Sequence, residues 1–199
     1  RRLRLLLLLP ASHCEGCGAR LDVFGDHYAA CMRTGRVQAC APLVESAWER
    51  VLREGGATVH YQHMLRNTTL AMEPSDWRRI DLLAIGLPLY YGRPLFCDVT
   101  LRSPLSAKGG PWFRAHRCDG VIFAAALREK EAKFADVVEG AHTELLVVAG
   151  EVGGRWHSTA GDLVYKLVVV KVTILPPLFC VAMVRAWQDC WWSFLGIIL

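Results

Sequence analysis

Two aspartates stand inside otherwise apolar stretches of the chain. Asp81 lies in Arg79-Ile80-Asp81-Leu82-Leu83-Ala84, and Asp98 in Phe96-Cys97-Asp98-Val99-Thr100-Leu101. Each stretch reads as a short β-strand. A carboxylate among apolar neighbours is costly unless something pairs with it. Two of them on neighbouring strands repel each other, and a divalent cation held by their oxygens would remove the conflict. Mg²⁺ in such a place neutralises charge on a phosphodiester and makes water acidic enough to attack it. On spacing alone a structural alternative stays open: Asp81 pairs with Arg78 or Arg79, and Asp98 caps a turn.

A second group is compact. Cys14, Cys17, His27 and Cys31 form the pattern C-x2-C-x9-H-x3-C. A Cys-x2-Cys turn places two thiolates on one side of a small cation. A histidine and a cysteine four residues apart sit one helical turn apart and complete a tetrahedron. Gly16 and Gly18 allow the tight backbone that the first pair needs. Four protein ligands make this a structural zinc site and not a catalytic one. The other cysteines are scattered, which fits a reducing compartment better than a disulfide scaffold.

Composition limits what can surround these groups. With 53% hydrophobic and 21% charged residues, the 199-residue chain is globular and long enough for one domain and a small satellite. Its net charge of +4 permits a nucleic-acid partner without demanding one. The chain starts at Arg1, so a piece of a longer protein is expected. The leucine run within residues 1–10 is too short for a signal peptide core and reads as an edge strand or the end of an upstream helix. The apolar tail, residues 163–199, is broken by charges and by Pro176-Pro177, so no membrane span is expected.

The elements that must position the chemistry follow in order. Residues 42–54 read as a helix, with Pro42 in its first turn and Leu43, Val44, Ala47, Trp48 and Val51 on the buried face. Glu45 borders that stripe and, taken alone, reads as a solvated flank charge. Residues 58–64 read as a strand, and the two aspartate strands are joined by a hairpin-like turn. In the second of them, Cys97, Val99 and Leu101 face the core while Asp98 and Thr100 face the chemistry.

Residues 103–117, together with the preceding Arg102, mix Lys108, Arg114, His116 and Arg117 with Trp112 and Phe113, a composition suited to a nucleic acid or to a solvated loop with an aromatic anchor. Residues 119–137 read as one long helix. It carries Lys130 on its apolar stripe, where an ammonium needs an anion; Lys133 lies off it. Residues 145–149 read as a central strand covered on both faces, followed by a glycine-rich turn at 151–156. Residues 163–174 are β-branched and apolar, and a last helix follows Pro176-Pro177 with Trp187, Trp191 and Trp192 as packing anchors. The expected organisation is 1–38, a zinc knuckle with a leading strand; 39–162, the core; and 163–199, the apolar segment and Trp-rich helix.

Taken together, these motifs resemble the C-terminal region of non-LTR retrotransposon polyproteins with a restriction-like endonuclease, dinoflagellate copies above all. The resemblance is carried by Cys14 and Cys17 with Leu21-Asp22-Val23-Phe24-Gly25-Asp26-His27-Tyr28-Ala29-Ala30-Cys31, by Arg78-Arg79-Ile80-Asp81-Leu82, and by Cys97-Asp98-Val99-Thr100-Leu101 with Ser103-Pro104-Leu105. It continues through Asp119-Gly120, Lys130, Gly150-Glu151-Val152-Gly153-Gly154-Arg155-Trp156 and the three late tryptophans.

The resemblance implies an α/β core of the PD-(D/E)XK restriction-endonuclease type with an N-terminal CCHC knuckle and a C-terminal helix. Its activity would be nicking of target DNA for target-primed reverse transcription, in the nucleus, beside an upstream reverse transcriptase and possible contact with element RNA. Asp81 and Asp98 would bind Mg²⁺, Lys130 would be the catalytic lysine, and Glu45 an accessory ligand. Three departures stand out: Ile80 replaces a proline, Thr100 stands where the motif has lysine, and Phe134 stands in place of tyrosine. The alternative function is an inactive, zinc-stabilised nucleic-acid-binding remnant.

Overall fold

A computed structural model of the chain describes residues 11–23, 26–106, 112–114 and 120–174. The expected leading strand, the Trp-rich helix, and Lys108, His116 and Arg117 lie outside the described residues.

The order of elements is α1 (Asp26–Ala30), α2 (Arg36–Glu54), β1 (Thr58–Met64), β2 (Arg79–Ile85), β3 (Leu95–Arg102), α3 (Val121–Lys133), α4 (Ala135–Glu139), β4 (Glu144–Glu151) and α5 (Ser158–Ile174). The strands form one sheet in the order β1-β2-β3-β4. The first three are antiparallel neighbours, and β4 runs parallel to β3. A parallel neighbour needs a crossover, and α3 with α4 provides it. The protein is therefore a mixed α/β fold.

Each face of the sheet is covered. On one face α2 contributes Val44, Trp48 and Leu52 and α5 contributes Ala160, Leu163 and Leu167, packed on Leu82, Ala84, Leu95, Cys97 and Val99. On the other, Ile122, Phe123, Phe134 and Val137 cover Ile80, Leu83, Phe96, Val147 and Ala149. Asp98 and Thr100 are consequently buried under α3, so the polar side of β3 is closed and not open to solvent.

The helices depart from expectation for identifiable reasons. α2 starts at Arg36, six residues before Pro42, which stands exposed inside it. The helix thus runs past residue 38 and joins the Cys/His segment to the core, with Val37 buried. Leu43 is 66% exposed, because the buried stripe of Val44, Trp48 and Leu52 points the other way. The long helix expected at 119–137 breaks at Phe134, whose φ of −115° and ψ of 37° end α3. The break drops the fully buried Phe134 ring into the cluster with Leu65, Phe96 and Val137. The carbonyl of Lys133 freed there accepts from the Arg78 guanidinium at 2.6 Å.

The β-branched run at 163–174 is helical. Leu163 and Leu167 recur at helical spacing, and their burial outweighs the small helix penalty of valine. Residue 162, the expected end of the core segment, lies inside this helix.

β4 is an edge strand among the described residues, not a central one. Its outer side is closed by the return of the chain: Glu151 N–H donates to Arg155 O (2.7 Å), His157 N–H to Ala149 O, and Thr159 Oγ1 to Val147 O. This is the expected glycine-rich turn. Trp156 lies so close to Gly150 that a Cβ there would meet its ring at 2.9 Å. The same ring stacks edge-on against Trp48 at 5.5 Å. No described helix is long and apolar enough to cross a membrane.

Candidate metal centre and carboxylate seam

The Cys/His cluster is built from a tight turn and one helix. Cys14 N–H donates to Ala19 O and Gly18 N–H to Cys14 O, both at 2.8 Å, while His13 and Arg20 bridge antiparallel. Gly18 turns the chain at φ +74°, which only glycine adopts at little cost. The Asp22 carboxylate accepts the backbone N–H of His27 at 2.8 Å and fixes the start of α1. Cys31 N–H bonds His27 O at 2.9 Å, so the two ligands are one turn apart as the spacing predicts.

The four ligand atoms all lie within 4.8 Å of one another. Zinc with tetrahedral bonds of the usual length would set them about 3.4–3.8 Å apart. The set therefore fits a metal ion and is consistent with structural zinc. Its donors are soft thiolates and an imidazole, which suit Zn²⁺ and not Mg²⁺. Burial pushes the Cys14 thiol up, but the backbone amides of Cys17 and Gly16 and the neighbouring Cys31 and His27 outweigh it, and its pKa falls to about 6. Cys31 goes the other way: burial raises it, the Arg33 backbone opposes, and the Cys14 and Cys17 sulfurs raise it further. Cys17 Sγ stands 3.0 Å from His27 Nε2. The cluster is docked to the core by Ser103 at the end of β3, whose buried hydroxyl donates to Ala30 O at 2.6 Å.

The second group is assembled from four elements. Pairing of β2 with β3 stops at Leu82↔Cys97. One step further in the same register, Asp81 faces Asp98. Like charges directly opposite oppose pairing. Here the Val99 N–H donates to Asp81 Oδ2 at 2.8 Å instead of to the neighbouring strand's backbone. Ile80 packs on the α4 side and Leu82 on the α2 side although they are two residues apart, so β2 changes face at Asp81.

Asp98 is 1% exposed, and Lys130 of α3 reaches it. The ammonium lies 2.7 Å from Oδ1 and hydrogen-bonds Oδ2 at 3.1 Å. Lys130 thus has the anion that its place on the apolar stripe required. Lys133 is exposed, as expected.

Glu45 is the larger surprise. It is buried, at 8% exposure, and not a solvated flank charge. Its Oε2 accepts from Tyr61 Oη at 2.6 Å and from Gln62 Nε2 at 2.9 Å. The same Gln62 amide donates to Asp81 Oδ1 at 3.3 Å. Tyr61 and Gln62 were not singled out from the sequence. A tyrosine and a glutamine in a strand carry no chemical signal until the helix opposite them is known.

Burial pushes the Asp81 carboxyl up to about 6, Asp98 and Glu45 add to this as like charges, and the Val99 N–H and Lys130 hold it back. Burial, then Asp81 and Asp98, push the fully buried Cys97 thiol up, which removes it as a nucleophile. The structural alternative for Asp81 is not the one realised by Arg78. That guanidinium spans Asp76 and Asp136 instead. Asp98 sits within a strand and caps no turn.

Among the described residues, the Cys/His set is the one gathering of three or more Cys, His or carboxylate groups at metal-binding spacing. Glu45, Asp81 and Asp98 converge without closing to that spacing, with the Gln62 amide between the first two. Of the basic and aromatic loop, Trp112 donates its indole N–H to Ser103 O at 3.1 Å, and Phe113 and Arg114 are exposed, 5.3 Å apart as a cation–π pair. The chain matches no protein-family model, and comparison with curated proteins finds no match.

Proposed function

We propose that the chain is a metal-dependent DNA endonuclease domain of the restriction-like type, nicking target DNA so that the exposed 3′ end primes reverse transcription of a retrotransposon. The observation that carries this reading is the convergence of Asp81, Asp98, Glu45 and Lys130, from four separate elements, on the seam where β2 and β3 part. Three carboxylates gathered with one lysine have no evident packing purpose, and a carboxyl perturbed as that of Asp81 is marks functional sites.

In this reading Asp81 and Asp98 hold Mg²⁺, with Glu45 as an accessory ligand. Oxygen donors suit that hard ion, which needs only one or two carboxylates because it keeps several waters. The bound ion supplies charge neutralisation at the scissile phosphate and an acidified water. Lys130, on α3, replaces the lysine that Thr100 does not provide. Its ammonium pairs with Asp98 and holds it in place, and it stands ready to bind a phosphate oxygen as charge develops. Zinc at Cys14, Cys17, His27 and Cys31 keeps the knuckle folded, and the domain works in the nucleus beside a reverse transcriptase.

A plasmid-nicking assay tests this. The zinc-loaded chain with Mg²⁺ should relax supercoiled DNA, and Asp98→Ala should lose that activity. Equal nicking by both proteins sinks the assignment.

A second reading, an inactive nucleic-acid binder, is favoured by a different observation. Exposed rings carry arginines: Arg66 lies 4.0 Å over Trp77, and Arg93 6.0 Å from Tyr91, which is 99% exposed. Such pairs stack on bases without cutting them. Binding of single-stranded DNA without any nicking would select it.

A further inference from the structure

Tyr61 and Gln62 are consecutive residues of β1, and both touch the same atom, Glu45 Oε2. Regular strand geometry forbids this, because successive side chains point to opposite faces. The backbone shows how it is achieved. Gln62 has φ +49°, in the left-handed region that side chains other than glycine and asparagine rarely adopt. It does so in the middle of a paired strand, with Tyr61↔Leu82 and His63↔Ile80 in register on either side. Turned this way, the amide lies between Glu45 and Asp81, donating to both. Both partners are carboxylates, so the amide nitrogen is the atom that must face them.

We propose that Gln62 is a positioning residue of the carboxylate seam, holding Glu45 and Asp81 aimed at a shared divalent cation, and that the strained turn in β1 exists to put it there. The inference rests on reading Asp81 and Glu45 as cation-binding. A neutral amide suits the task. It satisfies one oxygen of each carboxylate and keeps them from swinging apart, yet leaves their negative charge for the ion. A lysine at this point would cancel that charge, and a shorter side chain would not span the gap. Backbone strain of this kind persists where the surroundings over-determine it and commonly marks a working site.

The test uses the zinc-loaded full chain titrated with Mn²⁺ by electron paramagnetic resonance, together with thermal melts and the nicking assay. Gln62→Gly should weaken Mn²⁺ binding about 10–100-fold, the usual effect of losing a group that orients metal ligands. Its melting temperature balances the relieved left-handed φ against two hydrogen bonds lost from Glu45 and Asp81, so the affinity carries the test. A residue with a merely structural role would leave the Mn²⁺ affinity unchanged whatever its melting temperature. Gln62→Asn, which tolerates the left-handed region but is one methylene too short, should fold and show the same loss. Gln62→Lys should bind no Mn²⁺ while melting higher than the wild type.

If wild-type and Gln62→Gly affinities agree within about twofold, or the variant binds more tightly, the positioning role is overturned while the nuclease reading stands. If the wild type itself takes up no Mn²⁺ beyond its zinc, both are overturned.

Discussion

The Cys/His cluster and the carboxylate seam both gather groups that repel one another when charged, and they do it differently. The cluster takes its ligands from positions 14 to 31, along one turn and one helix of five residues. Among the described residues little apolar surface holds that segment: Ala30 and the ligands Cys14 and Cys31 are its buried non-polar side chains there, and Val37 follows on α2. The seam takes its groups from positions 45 to 130, on elements packed between two full hydrophobic layers. The first region could hold a metal ion, and structural zinc bound there would supply folding energy. In the second the fold is complete first, and protein groups such as Lys130 and Gln62 already hold the carboxylates.

The sharpest way to break this contrast is to remove zinc. Structural zinc contributes apparent binding energies of about 10 kcal/mol or more to domains too small to fold alone. In Cys17→Ser, or under a strong chelator, metal analysis should fall from one zinc per chain to none. Amide signals of residues 11–34 should collapse to random-coil positions while those of β2 and β3 stay dispersed. The core should lose the Ser103 anchor to Ala30, worth about 1–3 kcal/mol, and the stacking of Arg36 on Tyr28. Collapse of the sheet as well would show that the two regions fold as one.

The seam should respond to a different lesion. Lys130→Ala leaves the Asp98 charge almost wholly buried without its partner, which costs about 3–5 kcal/mol. The reverse change, Asp98→Ala, should cost less, because the Lys130 chain is partly exposed and can turn its ammonium to water. The double variant should therefore be more stable than Lys130→Ala alone. Urea unfolding of the three proteins measures this. Equal losses in both single variants would mean the pair is not the buried, one-sided arrangement described.

This contrast also explains what could be read from the sequence. The cluster was fully legible, since ligand spacing within a few residues fixes geometry through local turns. The aspartate strands were legible for the same reason, each as an apolar run with one misfit. Lys130 was found because it interrupted an apolar stripe. The burial of Glu45 is not legible, because it depends on Tyr61 and Gln62 of a strand that periodicity does not dock against α2. The left-handed φ at Gln62 leaves no trace in the residue type. The break at Phe134 was missed because continuous helical spacing runs through it, while the packing of its ring against Phe96 is a long-range contact.

Asp81 offers the finest test, because its charge should set the pH dependence of the metal-free seam. Its folded pKa of about 6 lies above the ordinary aspartate value of about 3.9 in an unfolded chain. Between about pH 4 and 6 the native state therefore binds more protons than the unfolded one, and stability falls as pH rises through that window. The stabilisation is fully present below about pH 4 and gone above about pH 6. Its size is about 2 kcal/mol, discounted for the part of the carboxylate that water still reaches. Asp81→Asn carries no charge at any pH. Without divalent cations it should flatten this part of the profile and be more stable than the wild type at pH 7.5. Millimolar Mg²⁺ should flatten the wild-type profile too, because a bound cation favours the ionised carboxylate, and should leave the asparagine variant unmoved. The zinc cluster predicts the opposite behaviour: its thiols must lose protons to bind metal, so its stability should rise with pH across the same range. Amide signals of the two regions, followed in one titration of the zinc-loaded chain, should thus move in opposite senses. If both regions weaken together as the pH is lowered, Asp81 is not a buried acid held against its neighbours, and the seam has no charge waiting for an ion.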